Sequence, residues 1–167
     1  MATFDDILAA AAPPTRTVPL CLAGDLQAQW EDLDRQRRDL AARPAGDTLA
    51  GAGGELRDVT QRMDAVREQM QAKTVVFRIQ GLPKRRWSDL IAKHAPRPED
   101  QAEGLDYHAE TFPVAALAAC CVDPELSEEQ AARLVDEILT NGQWAALWRA
   151  ILEANNRAVD IPKSVSA

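Results

Sequence analysis

Few residues in this chain can do acid–base or metal chemistry, and their spacing argues against a catalytic site. The 167 residues include two histidines and three cysteines. His94 lies on the apolar side of an amphipathic stretch, and His108 sits in a polar loop beside Tyr107. For each, an ordinary structural role is the stronger reading. Cys120 and Cys121 could join a histidine around zinc, but neighbouring residues of one helix point about 100° apart. The usual zinc-ligand spacings are also absent. Gly51-Ala52-Gly53-Gly54 follows no strand and lacks the lysine and hydroxyl of a phosphate loop, so it reads as a hinge. No serine stands in a nucleophile-elbow context. The carboxylates are spread along solvated helix faces, where a pair such as Asp89 and Lys93 is worth a few tenths of a kcal/mol. The expectation is no enzyme, no cofactor and no metal. A small hydrolase or nuclease is the weakest reading, because His, Asp and Ser do not cluster.

Binding chemistry is better represented. Lys84-Arg85-Arg86 stands beside Trp87, a pattern that can touch nucleic acid. The net charge of −7 weighs against this, since phosphate binding calls for a basic face. Three cations at a helix N-terminus oppose the helix dipole. They are therefore expected to meet an acidic partner, or an acidic segment of the chain such as Pro98 to Asp106. Four tryptophans stand against one tyrosine. Trp87, Trp144 and Trp148 fall at core spacing, whereas Trp30 falls where it could anchor one part of the fold to another.

Composition sets the frame for these residues. With 46% hydrophobic and 27% charged residues, the chain is ordinary globular stock rather than a disordered one. Abundant alanine favours helix over strand. No stretch approaches the roughly 20 apolar residues of a bilayer span. The acidic Phe4-Asp5-Asp6 start does not resemble a secretory signal. An odd number of cysteines, two of them adjacent, suits buried thiols in a reducing compartment. The expected location is the cytoplasm, with neither nucleic acid nor membrane as partner.

The elements that must position these residues follow from periodicity. Phe4 to Ala12 reads as a short helix ended by Pro13-Pro14, with Thr3 as cap. Thr15 to Leu22 and Thr74 to Gln80 read as strands, the first an edge strand because of Pro19. Between them, Leu26, Trp30, Leu33 and Leu40 repeat at heptad spacing, with Arg37 at the skipped position. Leu56, Val59, Met63, Val66 and Met70 form a second such seam. The Gly-rich segment Arg43 to Gly54 separates the two, which predicts an antiparallel hairpin. Two helices with about three heptads each are marginal alone, so the seam is expected to need a further surface.

After Pro83 the pattern is helical. Lys84 to Ala95 carries Trp87, Leu90, Ile91 and His94 on one face, and Pro96 to Gly104 reads as an acidic loop. Thr111 to Val122 is apolar nearly all round and should be central, ending at Asp123-Pro124. Ser127 to Gln130 is a capping box opening a helix with Leu134, Val135, Ile138 and Leu139 inward. Asn141-Gly142 reads as a break before the last helix, Gln143 to about Asn156. The expected fold is mainly α: a helical body plus an antiparallel coiled-coil hairpin flanked by two short β-strands. Its parts are a short N-terminal helix or arm (1–14), strand, hairpin and strand (15–80), the helical body (81–157) and a flexible tail (158–167).

Three strings carry a resemblance: FRIQGLPKRRWSDLIAKH, TFPVAALAACCVDPELSEEQ and LTNGQWAALWRAILEANNRAVDIPKS. Together they resemble the tail assembly chaperones of long-tailed, siphovirus-type phages and prophages of actinobacteria. The matching positions are Leu82, Pro83 and Trp87, then Phe112, Pro113 and Pro124, then Gly142, Gln143, Trp144, Leu147 and Asn155. The likeness covers about residues 15 to 165, and its motifs are short and partly structural. It implies a non-enzymatic protein of the host bacterial cytoplasm that binds the tape measure protein and promotes tail tube assembly. The major tail tube protein and a second copy of the chain are further candidate partners. A structural tail or connector component of the particle is the alternative. The expected partner-binding residues are Trp30, Leu33, Leu40, Val59, Met63 and Val66 on the seam, with Lys84, Arg85 and Arg86 beside the body.

Overall fold

In a computed structural model, residues 1–43 and 52–158 are described. The chain is mainly helical, with a small three-stranded antiparallel sheet in the order β1-β2-β3. The elements in chain order are α1 (Phe4–Ala10), β1 (Thr15–Cys21), α2 (Gly24–Ala41), α3 (Ala52–Ala72), β2 (Thr74–Gln80) and α4 (Lys84–Lys93). There follow α5 (Pro98–Ala102), α6 (Thr111–Cys120), β3 (Cys121–Asp123), α7 (Glu128–Arg133), a π-helical turn at Leu134–Ile138, and α8 (Asn141–Asn156). Two compact units result: residues 1–18 with 76–167, and residues 19–75.

In the first unit, α6 is the central element, as its nearly all-apolar sequence requires. Phe112, Pro113, Ala115, Ala116, Leu117 and Cys120 are all buried on it. Phe77 and Ile79 of β2 and Leu147, Ala150, Ile151 and Ala154 of α8 complete the core. Gly81 follows β2 for a steric reason. A β-carbon there would lie 2.3 Å from the Ala154 carbonyl oxygen, closer than any real contact. The bare backbone lets Gly81 N–H donate to Pro14 (2.8 Å) while Leu82 N–H donates to the Asn155 side chain (2.8 Å). One short stretch thereby joins β1, β2 and α8.

Several expectations for this unit need correction. The helix beginning at Thr111 stops at Cys120, and Cys121–Asp123 forms a third strand on β2, with Ile79 opposite Cys121 and Arg78 opposite Asp123. Three residues carry too little alternation to announce a strand, and only the free edge of β2 makes them one. The supposed acidic loop contains α5. Pro98 fits its first turn, and the positive φ of Gly104 (79°) ends it in the left-handed conformation. Past α7 the backbone widens into a π turn closed by Leu139 N–H to the Leu134 carbonyl (3.0 Å). Ile138, expected inside, is consequently 56% exposed. Asn141-Gly142 is no break: both residues lie in α8, which Thr140 caps through a reciprocal bond pair with Gln143.

In the second unit α2 and α3 pack side by side. Leu26, Leu33, Val59 and Val66 are buried between them, and Trp30, Leu40, Met63 and Met70 pack against that cluster. Leu22 N–H donates to the Lys73 carbonyl near one end (3.5 Å), and Arg43 pairs with Glu55 near the other (3.6 Å), so the helices run in opposite directions. α3 starts at Ala52, so Gly53 and Gly54 are helical rather than part of the turn. The rest of the expected turn, 44–51, lies outside the described residues, as does the expected tail from 159 onward.

Candidate protein-binding surfaces

The groups that could have done chemistry are occupied in holding the first unit together. Both histidines converge on the start of α6. His94 Nδ1 lies 2.9 Å from the Thr111 hydroxyl, and His108 Nδ1 accepts from the backbone N–H groups of Glu110 (3.3 Å) and Thr111 (3.4 Å). His108 N–H donates to the His94 carbonyl at 2.7 Å. Cys120 is fully buried and receives the Asn155 side-chain amide (3.5 Å); burial raises its thiol pKa. Burial likewise pushes the Cys121 thiol up to about 11, and its Sγ donates to the Pro124 carbonyl (3.1 Å). Thiols so protonated are poor nucleophiles and poor metal ligands at neutral pH.

One charged group stands out that the sequence reading passed over. Asp100, on α5, is only 2% exposed. Its carboxylate accepts from Arg97 N–H (2.9 Å) and from the Arg97 guanidinium (3.0 and 3.2 Å), while Arg97 also reaches Glu110 (3.3 Å). The Arg97 contact holds the Asp100 pKa down at about 2. A sequence signal existed: Pro98 at the first helical position, with Asp100 three residues after Arg97, marks a capped helix start.

This depressed pKa has a consequence with a definite sign. An ordinary carboxylate titrates near 3.8, so Asp100 favours the folded state at neutral pH and loses that advantage as pH falls toward 2. Asp100→Asn is therefore expected to melt below the parent protein at neutral pH. The gap should close on acidification below about pH 3. Thermal melts followed by circular dichroism across that range check it, and a gap independent of pH refutes the role given to the carboxylate.

The aromatic residues form one cluster around Phe112. Tyr107 lies 4.5 Å from its ring centroid, Trp87 5.2 Å and Trp148 6.1 Å, the two tryptophans edge-on. Trp144 stacks on Trp148 at 6.0 Å. Trp87, Trp144 and Trp148 are half-buried, in keeping with core spacing.

The nine expected binding residues separate into two sets. Leu33, Val59 and Val66 are buried between α2 and α3, and Trp30, Leu40 and Met63 are half-buried against them, so within one chain these side chains serve each other. Asp34, beside Leu33, is 6% exposed and pairs with Arg37 (2.8 Å) and Arg38. Chiefly its hydrogen bond to Arg37 lowers its pKa. Lys84, Arg85 and Arg86 are exposed at the start of α4, and Arg85 reaches Asp89 at 3.9 Å. The open apolar surface is elsewhere: Phe4, Ile7 and Leu8 of α1 are exposed, as are Val76 and Ile138. Sequence reasoning noticed α1 as a helix but gave it no role.

Comparison with protein-family models, with curated proteins and with solved structures finds no match for this chain. Among the described residues no group of three or more His, Cys, Asp or Glu side chains could hold a metal ion, and no helix is long and apolar enough to cross a membrane.

Proposed function

We propose that this chain is a non-catalytic tail assembly chaperone, which binds the tape measure protein of a long-tailed phage or prophage and promotes assembly of the tail tube around it. The observation carrying this reading is that the separate strings behind the resemblance meet at one place in the fold. Leu82 of the first hydrogen-bonds Asn155 of the third, and Trp87 of the first packs on Phe112 of the second, which packs on Trp148 of the third. The three strings therefore belong to one packed unit. In this reading α2 and α3 form an antiparallel coiled-coil arm, whose charged outer faces and heptad core suit it to engage a long helical client.

Co-expression with a tape measure protein of a long-tailed actinobacterial phage tests the proposal. The client is expected to stay soluble and to co-purify with the chain, while finished particles analysed by mass spectrometry lack the chain. Its presence at fixed stoichiometry in purified virions overturns the chaperone reading and favours a structural tail or connector component.

A further inference from the structure

α1 contributes no buried residue to the fold. Residues 1–13 are all exposed, Phe4 at 71% and Ile7 and Leu8 at 58% each. At 100° per residue Ile7, Phe4 and Leu8 share one face, and Asp5 flanks it. The helix has a complete cap: the Thr3 hydroxyl accepts from Asp6 N–H, and the Asp6 carboxylate accepts from Thr3 N–H at 2.7 Å. Seven residues gain little helix stability alone in water, so an apolar face kept in register calls for a cover.

A surface of matching chemistry lies on the same unit. A groove of about 560 Å³ is walled by Pro13, Pro14, Leu82, Pro83, Ala119 and Val122, and Arg86 also lines it. Lys84 and Arg85 stand just before Arg86, all three exposed. Lys84 and Arg86 enter no ion pair among the described residues. These are the cations that Asp5 of a docked helix would meet. The α1 of the same chain is badly placed to dock. Ala11 is extended (ψ 122°), and Ala12 and Pro13 each precede a proline, which disfavours a turn back. Pro13 and Pro14 moreover form part of the groove wall.

We infer that α1 of one copy docks in this groove of a second copy, with Phe4, Ile7 and Leu8 against the apolar wall and Asp5 facing Lys84 and Arg86. Each chain offers one arm and one groove, so the exchange is reciprocal and closes as a two-fold dimer. The basic start of α4, unfavourable for its own helix, thereby acquires an acidic partner.

Sedimentation equilibrium of the full chain tests this, without reference to any client. The parent protein is expected to show a concentration-dependent dimer, and Phe4→Asp with Ile7→Asp to weaken it at least about tenfold. At concentrations below the dimer's dissociation constant the melting temperature should match the parent's, because α1 contributes no buried residue to the core of its own chain. Asp5→Lys alone, and Lys84→Glu with Arg86→Glu alone, are each expected to weaken the dimer. A mixture of these two variants should restore it as a heterodimer, since both arms then meet grooves of opposite charge. A parent protein monomeric at all accessible concentrations overturns the inference. So does a dimer indifferent to the α1 substitutions, or a mixture that fails to associate.

Discussion

Phe112→Ala is expected to destabilise the protein by about 3–5 kcal/mol. The Phe112 side chain is fully buried at the start of α6, where Trp87 from α4, Tyr107 and Trp148 from α8 all turn toward it. Removing the ring forfeits its transfer free energy. It also leaves a cavity that these large, separately anchored rings cannot close. Edge-on contacts add about 0.5–1.5 kcal/mol per pair beyond area burial, and they are lost together. In a chain of this size the melting temperature should fall by roughly 10 °C, read by circular dichroism. Phe112→Leu, which keeps most of the volume, should recover much of the loss. A fall of only a degree or two for the alanine variant would show that the cluster is not the keystone of this unit.

The second large effect belongs to the α2–α3 pair. Leu33→Asp places a carboxylate at a position 5% exposed, amid Leu26, Val59 and Val66. An uncompensated buried charge costs about 3–5 kcal/mol, and adding Met63→Asp sets a like charge on the other side of the seam. Two helices held by one narrow apolar stripe have little margin against such a loss. The double variant is expected to lose the helix signal of α2 and α3 while near-ultraviolet bands from Trp87, Trp144 and Trp148 persist, since those residues belong to the other unit. On the proposed function it should also lose co-purification of a tape measure client. Unchanged client binding by the double variant would remove the arm from the proposed function while leaving the fold description intact.

The two units were legible in the sequence to different degrees. The seam of α2 and α3 was readable residue by residue, because a heptad pattern declares both the helix and the face it buries. Leu26, Leu33, Val59 and Val66 are where the spacing put them. What the pattern could not declare was whether the seam faces its own chain or a partner, since the same stripe serves either. In the first unit the all-apolar run of α6 announced a central helix. Its end did not announce β3, because whether Cys121–Asp123 pairs depends on β2 presenting an edge forty residues earlier in the chain. The π turn escaped for a similar reason: Leu134 to Leu139 has ordinary helical spacing, and only the backbone path shows that Ile138 turns outward.

The candidate surfaces divide along the same line. The basic triplet Lys84-Arg85-Arg86 was visible as a charge run at the wrong end of a helix, and the Phe4, Ile7, Leu8 spacing was visible as a helical stripe. Neither points to the other in sequence. The groove exists only because Pro13 and Pro14 are brought beside Leu82 and Pro83 by the bond from Gly81 to Pro14, with Ala119 near the end of α6 and Val122 of β3 also lining it. Local chemistry was enough to determine which segments are helical, which faces are apolar and which residues carry charge, because those follow from neighbours a few positions away. Tertiary structure alone decided what those faces meet: it satisfied the heptad seam within the chain, turned histidines and cysteines into struts of α6 and its surroundings, and left α1 uncovered beside a groove. Such pairings join residues tens of positions apart, and no local spacing encodes them.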